Sequence, residues 1–452
     1  MGAKTTKEIS QWLCSTGYKD IDPEVITYAK SLALSHLGMT LAGSTMSFGK
    51  IAIEYARDQR SVPEAGVVGA GFRTSVELAS IANGTTSHTT ELEDDSFPEG
   101  LYSCGSWPMA LALGEKLKLS GRKVLEAYVL GYEVSAKLGV ACVNAVGKGW
   151  LNAALWLSIG NAAAAAKMLK LDAGKTTMAL SLAASQACGI ARQTGSGAHL
   201  IEAGFAGKNG ICAATLAKLG FTGNPTILEG PNGFCDLVAG QPDFDLPLGQ
   251  GWRVMEIGMK KYPCCYLQQR NIDAVLDLIA EHGIRWDDVK SVEHGINQTV
   301  GLYLKYAQPE SAEDARFSLE HSTVAAFFDK DVFLPSYTDQ KARDPKFREA
   351  RKKVRVTVHP EWPPGYFTFE SPVNIQMKDG TEYKKNAVIA KGDPSMKLSK
   401  ERVMKKFMDC VDFAGILSRQ KAEKAAEMVF ALEKVKDVSE LMNIFTFPKK
   451  KY

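Results

Sequence analysis

The chain has 452 residues, 45% hydrophobic and 23% charged, with a formal net charge of +3, so it is long enough for more than one core and has the composition of a globular protein. Its cations are dispersed apart from short runs such as "REARKKVR" and the terminal "FPKKKY", and without a basic stripe interleaved with aromatics no nucleic-acid partner is expected. No apolar run reaches the ~18–20 residues of a membrane helix, and nine cysteines without regular spacing point to reduced thiols and a cytoplasmic setting rather than a disulfide framework.

The first residues, "MGAKTTKEISQWLCSTGYKD", lack a basic start followed by an apolar run and do not read as a secretion signal; "MGAKTT" superficially matches a myristoylation pattern through Gly2. From about Thr5 to about Lys218 the pattern is one of successive helices. "DPEVITYAKSLALSHLGMTLAG" offers Asp22 as a cap and Pro23 in the first turn, then Val25, Tyr28, Ala29, Leu32 and Leu34 at helical intervals. "WPMALALGEKLKLSGRKVLEAYVLGYEVSAKLGVAC" reads as a helical hairpin turning at "LSGRK", its second arm apolar on most sides and therefore buried in a bundle. The alanine run of "SIGNAAAAAKMLKLDAGKTTMALSLAASQACG" combines the best helix propensity with side chains small enough for close packing.

The character changes near Tyr262. "DDVKSVEHGINQTV" alternates like a strand, "ARFSLEHSTVAAFFDKDV" is a helix, and "KDGT" marks a hairpin between two further strands. From Ser399 the helical pattern returns. The expected architecture is mainly α with an α+β lid: a helical domain from residues 1–265 and 399–452, interrupted by an α+β domain at 266–398. A cleft between two such domains is a common small-molecule site.

Chemistry is concentrated in "NGTTSHTTELEDDSFPEG". Continued as a helix to Phe97 and Pro98, this segment sets His88 and Glu91 on one face and Glu91 and Asp95 on one face, at a helix C-terminus whose dipole raises carboxylate pKa values. A solvated acidic end, a metal site and acid–base equipment are all open readings. A second His-x-x-Glu, His199 with Glu202, supplies ligand types for a metal, but the order and spacing differ from carboxylate-bridged metal bundles, and no metal is expected. "MKKYPCCYLQQR" places Lys260 and Cys265 at the domain junction, where a lysine can hold a carboxylate. No nucleophile elbow and no phosphate-binding loop is present, so nucleotide chemistry is not expected.

Together, "NGTTSHTTELEDD", "GNAAAAAKMLKLDAGKTTMALSLAASQACG", "EAGFAGKNGICAATLAKLGFTG", "MKKYPCC" and "ARFSLEHSTVAAF" resemble, in order, the motifs of the MmgE/PrpD family, which includes dehydratases, decarboxylases and isomerases of small carboxylic acids. The resemblance implies a homodimer with a small-molecule substrate, no cofactor, and an active site in the interdomain cleft where side chains move protons beside a carboxylate. Carried over by position, the family's acidic residue falls on Glu91, the residue after its Asp-Asp pair on Asp95, two histidines on Tyr102 and Leu151, a lysine on His199, a tyrosine on His321, and the junction lysine on Lys260. Trp150, Leu151 and Cys265 would then contact the substrate.

Loss of two histidines and a lysine weakens the clamp a tricarboxylate needs, since desolvated unpaired charges cost several kcal/mol. The expectation is therefore a lyase or isomerase for a less charged, more apolar carboxylate-derived metabolite in specialised biosynthesis, with Glu91, Asp95, Tyr102, His199, Lys260 and His321 as its proton-transfer and binding set. A cyclase-like isomerase acting on a neutral substrate, and an inactive relative serving as a binding partner, stay open. His36, His282, His294 and His359 are read as packing or surface residues.

Overall fold

A computed structural model describes residues 5–366 and 370–448; Gly2 and the last residues of "FPKKKY" lie outside them. The chain divides into two compact units, 1–257 with 399–452, and 258–398. The division falls ahead of the expected 265/266 boundary and assigns Lys260 and Cys265 to the second unit.

The first unit is built of helices. Pro23–Gly43 begins where Asp22 and Pro23 suggest, but the Asp22 side chain makes no capping hydrogen bond; its charge acts on the exposed N-terminal peptide dipoles alone. Trp107–Lys116 and Gly121–Ala141 form the hairpin at "LSGRK". The 23-residue helix Gly197–Leu219 packs against both Val76–His88 and Asn152–Met168, with Ala162, Ala183 and Ala213 meeting in a side-chain layer thin enough for close axes. Helix Lys400–Ala414 rejoins this unit against Pro23–Gly43, using an apolar face of Val403, Phe407, Cys410 and Val411.

Val76–His88 and Gly197–Leu219 approach closely. A Cβ on Gly84 would stand 2.7 Å from the Gly204 Cα, and one on Gly204 would stand 2.5 Å from the Ile81 carbonyl oxygen. Only hydrogen fits at both positions. Gly84 is one turn before His88 and Gly204 is little more than one turn after His199, so this contact sets the separation of the two histidine-bearing backbones.

The second unit carries a four-stranded sheet in the order Val354–His359, Val289–Asn297, Pro372–Met377, Glu382–Asn386. The first pair is parallel and the others antiparallel, and "KDGT" turns the last hairpin as its Asp-Gly step indicates. Helices Gln269–His282 and Leu319–Phe328 contribute Val275, Leu278 and Val324 to a core shared with Val292 and Ile375. Among the described residues no helix is long and apolar enough to cross a membrane.

Candidate functional site

The acidic segment does not continue the helix. Val76–His88 ends at His88, Glu91 takes a left-handed φ of 52°, and Asp94–Ser96 is a strand. The helix-dipole argument for these carboxylates therefore fails. The cause is the hydroxyl-rich run Thr85–Thr90: Thr85, Thr86, Thr89 and Thr90 each donate to a carbonyl three or four residues back, loosening the last turn, while β-branched threonines disfavour its extension.

Beyond the turn, tertiary contacts hold the segment at successive points. Lys406 donates to the Leu92 carbonyl at 2.7 Å. Asp94 accepts from the Ser103 backbone and hydroxyl at 2.6 and 2.8 Å and lies 3.2 Å from His36. Ser96 bonds with Tyr132 and donates to Glu99, and Arg253 grips the fully buried Glu99 through two 2.6 Å contacts. Leu92, Asp94 and Ser96 thus point into packed structure. Side chains alternate along extended backbone, which leaves Glu93 and Asp95 for the opposite side, while the left-handed turn at Glu91 brings its carboxylate beside His88 and His199.

That side is where the chemistry gathers. The nearest ligand atoms of His88, Glu91 and His199 all lie within 4.8 Å of one another, and all three residues are buried. The rings of His88 and His199 are 4.5 Å apart, edge to face, and the Tyr102 ring is 4.6 Å from His88. Glu93 comes to 3.9 Å from His88 Nε2 and Glu202 to 4.0 Å from His199 Nδ1. Burial, followed by the charges of Cys104, Glu202, Glu93 and Asp95, holds the Tyr102 phenol well above its usual range, so it stays protonated. Burial pushes Glu202 up to about 7 against the pull of the Ile190 N–H.

The other expected residues are distributed differently. Trp150 bridges to Ile190, and the Leu151 N–H donates to the Gly189 carbonyl at the N-cap of Asn152–Met168. Because the Ile190 N–H bonds Glu202, Trp150 and Leu151 border the histidine site through that segment. Lys260 and Cys265 are buried in the second unit, where the Cys265 N–H donates to the Arg316 carbonyl. His321, also in that unit, donates from Nε2 to the Ser336 carbonyl at 2.8 Å and accepts from Arg351 at 3.2 Å. Both its ring nitrogens are committed, and burial lowers its pKa to about 4, a packing role that its motif position does not reveal.

Three contributors are not on the sequence-derived set: His88, Glu202 and Glu93, the last 3.9 Å from His88 although a helical reading of the segment turns it away. His88 and Glu202 were visible only as members of two His-x-x-Glu pairs; their repetition was the available signal. The pairing of His36 with Asp94, across 58 positions, has no local signal at all.

Comparison with known proteins gives two family matches, the MmgE/PrpD N-terminal domain over residues 7–247 and the MmgE/PrpD C-terminal domain over residues 262–434. Similar proteins are cis-aconitate decarboxylase of Mus musculus, 27% identical over 441 residues and covering 94% of this chain and 90% of that protein. The Homo sapiens cis-aconitate decarboxylase is 27% identical over 440 residues, covering 94% and 91%. That of Aspergillus terreus is 22% identical over 476 residues, covering 98% and 96%.

Proposed function

The chain belongs to the MmgE/PrpD family, and from that premise we propose that it is a lyase of the decarboxylase or dehydratase type, acting at the carbon beside a carboxylate. Supporting this reading is the convergence of His88, Glu91, Tyr102 and His199 from three separate segments into one buried group. The two imidazoles can donate to a substrate oxygen, and a carboxylate lies about 4 Å from each, Glu93 by His88 and Glu202 by His199. In a decarboxylation CO2 leaves its bonding pair on carbon, and Tyr102, protonated and buried, gives that carbon its proton. In a dehydration Glu91 takes the carbon-bound proton and Tyr102 protonates the departing hydroxyl. Fixed donors in a dry site stabilise the developing negative charge without waiting for solvent to reorganise.

The substrate class follows from the same residues. The similar proteins are named for cis-aconitate, yet the positions where the family pattern puts two histidines and a lysine carry Tyr102, Leu151 and His199, and Glu91, Glu93 and Glu202 crowd the imidazoles. A substrate with many acid groups would be repelled there. A carboxylate-derived metabolite with fewer charges and an apolar body fits better, as a biosynthetic pathway for alkylated acids would supply. The test is turnover of cis-aconitate against a series of mono- and dicarboxylates bearing alkyl chains, followed by CO2 release and ultraviolet absorbance of the unsaturated product. Preference for the less charged acids, abolished in His199→Ala, is expected; equal or better turnover of cis-aconitate, or full activity of His199→Ala, would overturn the assignment.

A further inference from the structure

We propose that His88, Glu91 and His199 form a binding site for one divalent transition-metal ion of the zinc class, a property the family resemblance does not imply. Two histidines and one glutamate are a donor set that holds zinc with a coordination position left open for water or a substrate oxygen. Here the three donor atoms already lie within 4.8 Å of one another. A tetrahedral ion with bonds of about 2.0–2.1 Å spaces its ligand atoms about 3.3 Å apart, so modest side-chain rotation closes the site with the backbone where it is. His88 is 0%, Glu91 4% and His199 6% exposed, which removes the competition with bulk water that weakens surface clusters.

Three further observations fit an ion. Each histidine has a carboxylate near one ring nitrogen, Glu93 at 3.9 Å from His88 Nε2 and Glu202 at 4.0 Å from His199 Nδ1. A small side-chain movement brings each carboxylate to hydrogen-bonding distance of its imidazole, the outer arrangement that orients metal-bound imidazoles. Tyr102, 4% exposed, has a hydroxyl with no hydrogen-bond partner among the described residues, and its ring stands 4.6 Å from His88; a molecule on the open position is a partner for it. The glycine contact between Gly84 and Gly204 holds the two histidine-bearing backbones at constant separation, the preorganisation a metal site needs.

The replacement at position 199 then has a chemical meaning. A lysine supplies a fixed positive charge but cannot coordinate a metal while protonated. Histidine gives up that charge and gains a ligand nitrogen, and the two charges of the ion are met by Glu91, Glu93 and Glu202 around it, so the preference for weakly charged acids holds. The open position would take a carboxylate or carbonyl oxygen.

Metal binding is measured on the full chain without substrate, so its failure and the failure of the lyase reading are separable. After stripping with a chelator, titration with Co2+ is expected to develop the visible absorption of a four- or five-coordinate site, saturating at about one ion per chain and bleached by Zn2+, which binds more tightly. His199→Ala, His199→Lys and Glu91→Gln are expected to weaken binding by about 100-fold or more, Glu202→Gln by about 10-fold, and His282→Gln, in the other unit, not at all. Far-UV circular dichroism checks each fold; if His199→Ala unfolds, His199→Lys and Glu202→Gln carry the comparison. Absence of a saturable Co2+ band in the wild type, or binding unchanged in folded His199→Lys, would overturn the proposal.

Discussion

His36 Nε2 lies 3.2 Å from Asp94 Oδ2, and both side chains are only 2% exposed. The pair ties helix Pro23–Gly43 to the strand Asp94–Ser96 and, with the two bonds from Ser103, settles which residues of the acidic segment face inward. Burial alone would push the Asp94 carboxyl up, but the charge and hydrogen bond of His36 and the Ser103 donors hold it below its usual range. Asp94→Ala leaves a buried imidazole and an N–H without their partner, and a loss of about 3–5 kcal/mol in unfolding free energy is expected. Asp94→Asn, which keeps an acceptor for Ser103, should lose less. Chemical denaturation of the two variants measures the order, and a loss under about 1 kcal/mol for Asp94→Ala would contradict the role given to the pair.

Gly84→Ala forces a methyl to within 2.7 Å of the Gly204 Cα. Backbone cannot yield as a flexible side chain does, so the helices must part, at a cost of about 1–3 kcal/mol. Because His88 and His199 ride on those helices, activity and Co2+ affinity are expected to fall further than stability does. A variant that loses stability while keeping both would show that this contact does not position the histidines.

Tyr102→Phe separates chemistry from folding. Its hydroxyl is buried without a hydrogen-bond partner among the described residues, so removing it relieves a desolvated polar group, and thermal stability is expected to stay within about 1 kcal/mol of the parent or rise. Loss of the proton donor is expected to lower kcat by about 10²–10⁴. Unchanged kcat would remove Tyr102 from the proton-transfer set.

Stability should fall on acidification. Burial lowers the pKa of His294 from 6.5 to about 3 and that of His321 to about 4, so in the fold both remain neutral while the unfolded chain takes up protons. Their contribution is present above pH 6.5 and is lost as pH falls from there towards 4, with a slope of up to about 1.4 kcal/mol per pH unit for each histidine. Denaturant midpoints measured from pH 7.5 to 4.5 should decline, and His294→Gln should flatten the decline. An equal slope in that variant would contradict the assignment.

Much of the architecture follows from local patterns. The apolar period of "VITYAKSLAL", the alanine run before Lys167, the Asp-Gly hairpin and the return of helical spacing after Ser399 are consequences of backbone geometry acting over a few residues, so they can be read without the fold. The acidic segment shows where this ends. Charge spacing suggested a helix through Asp95, whereas threonine hydroxyls bonding to their own turn and Lys406, His36 and Arg253 reaching in from distant segments draw the chain into a turn and a strand. His321 shows the converse: its motif position suggested chemistry, and two buried hydrogen bonds commit it to packing.

By itself, then, the sequence determined the helical and α+β segments, the family, and the residue types available for chemistry, because these depend on short-range periodicity and on motifs that survive as strings. Only the tertiary structure decided that His88 meets His199, that Glu93 and Glu202 flank them, and that Asp94 turns away to His36. The meeting of His88 and His199 depends on two glycines letting helices more than 100 positions apart in the chain approach closely, and the distance between two packed helices is a property of both surfaces together, written in neither alone.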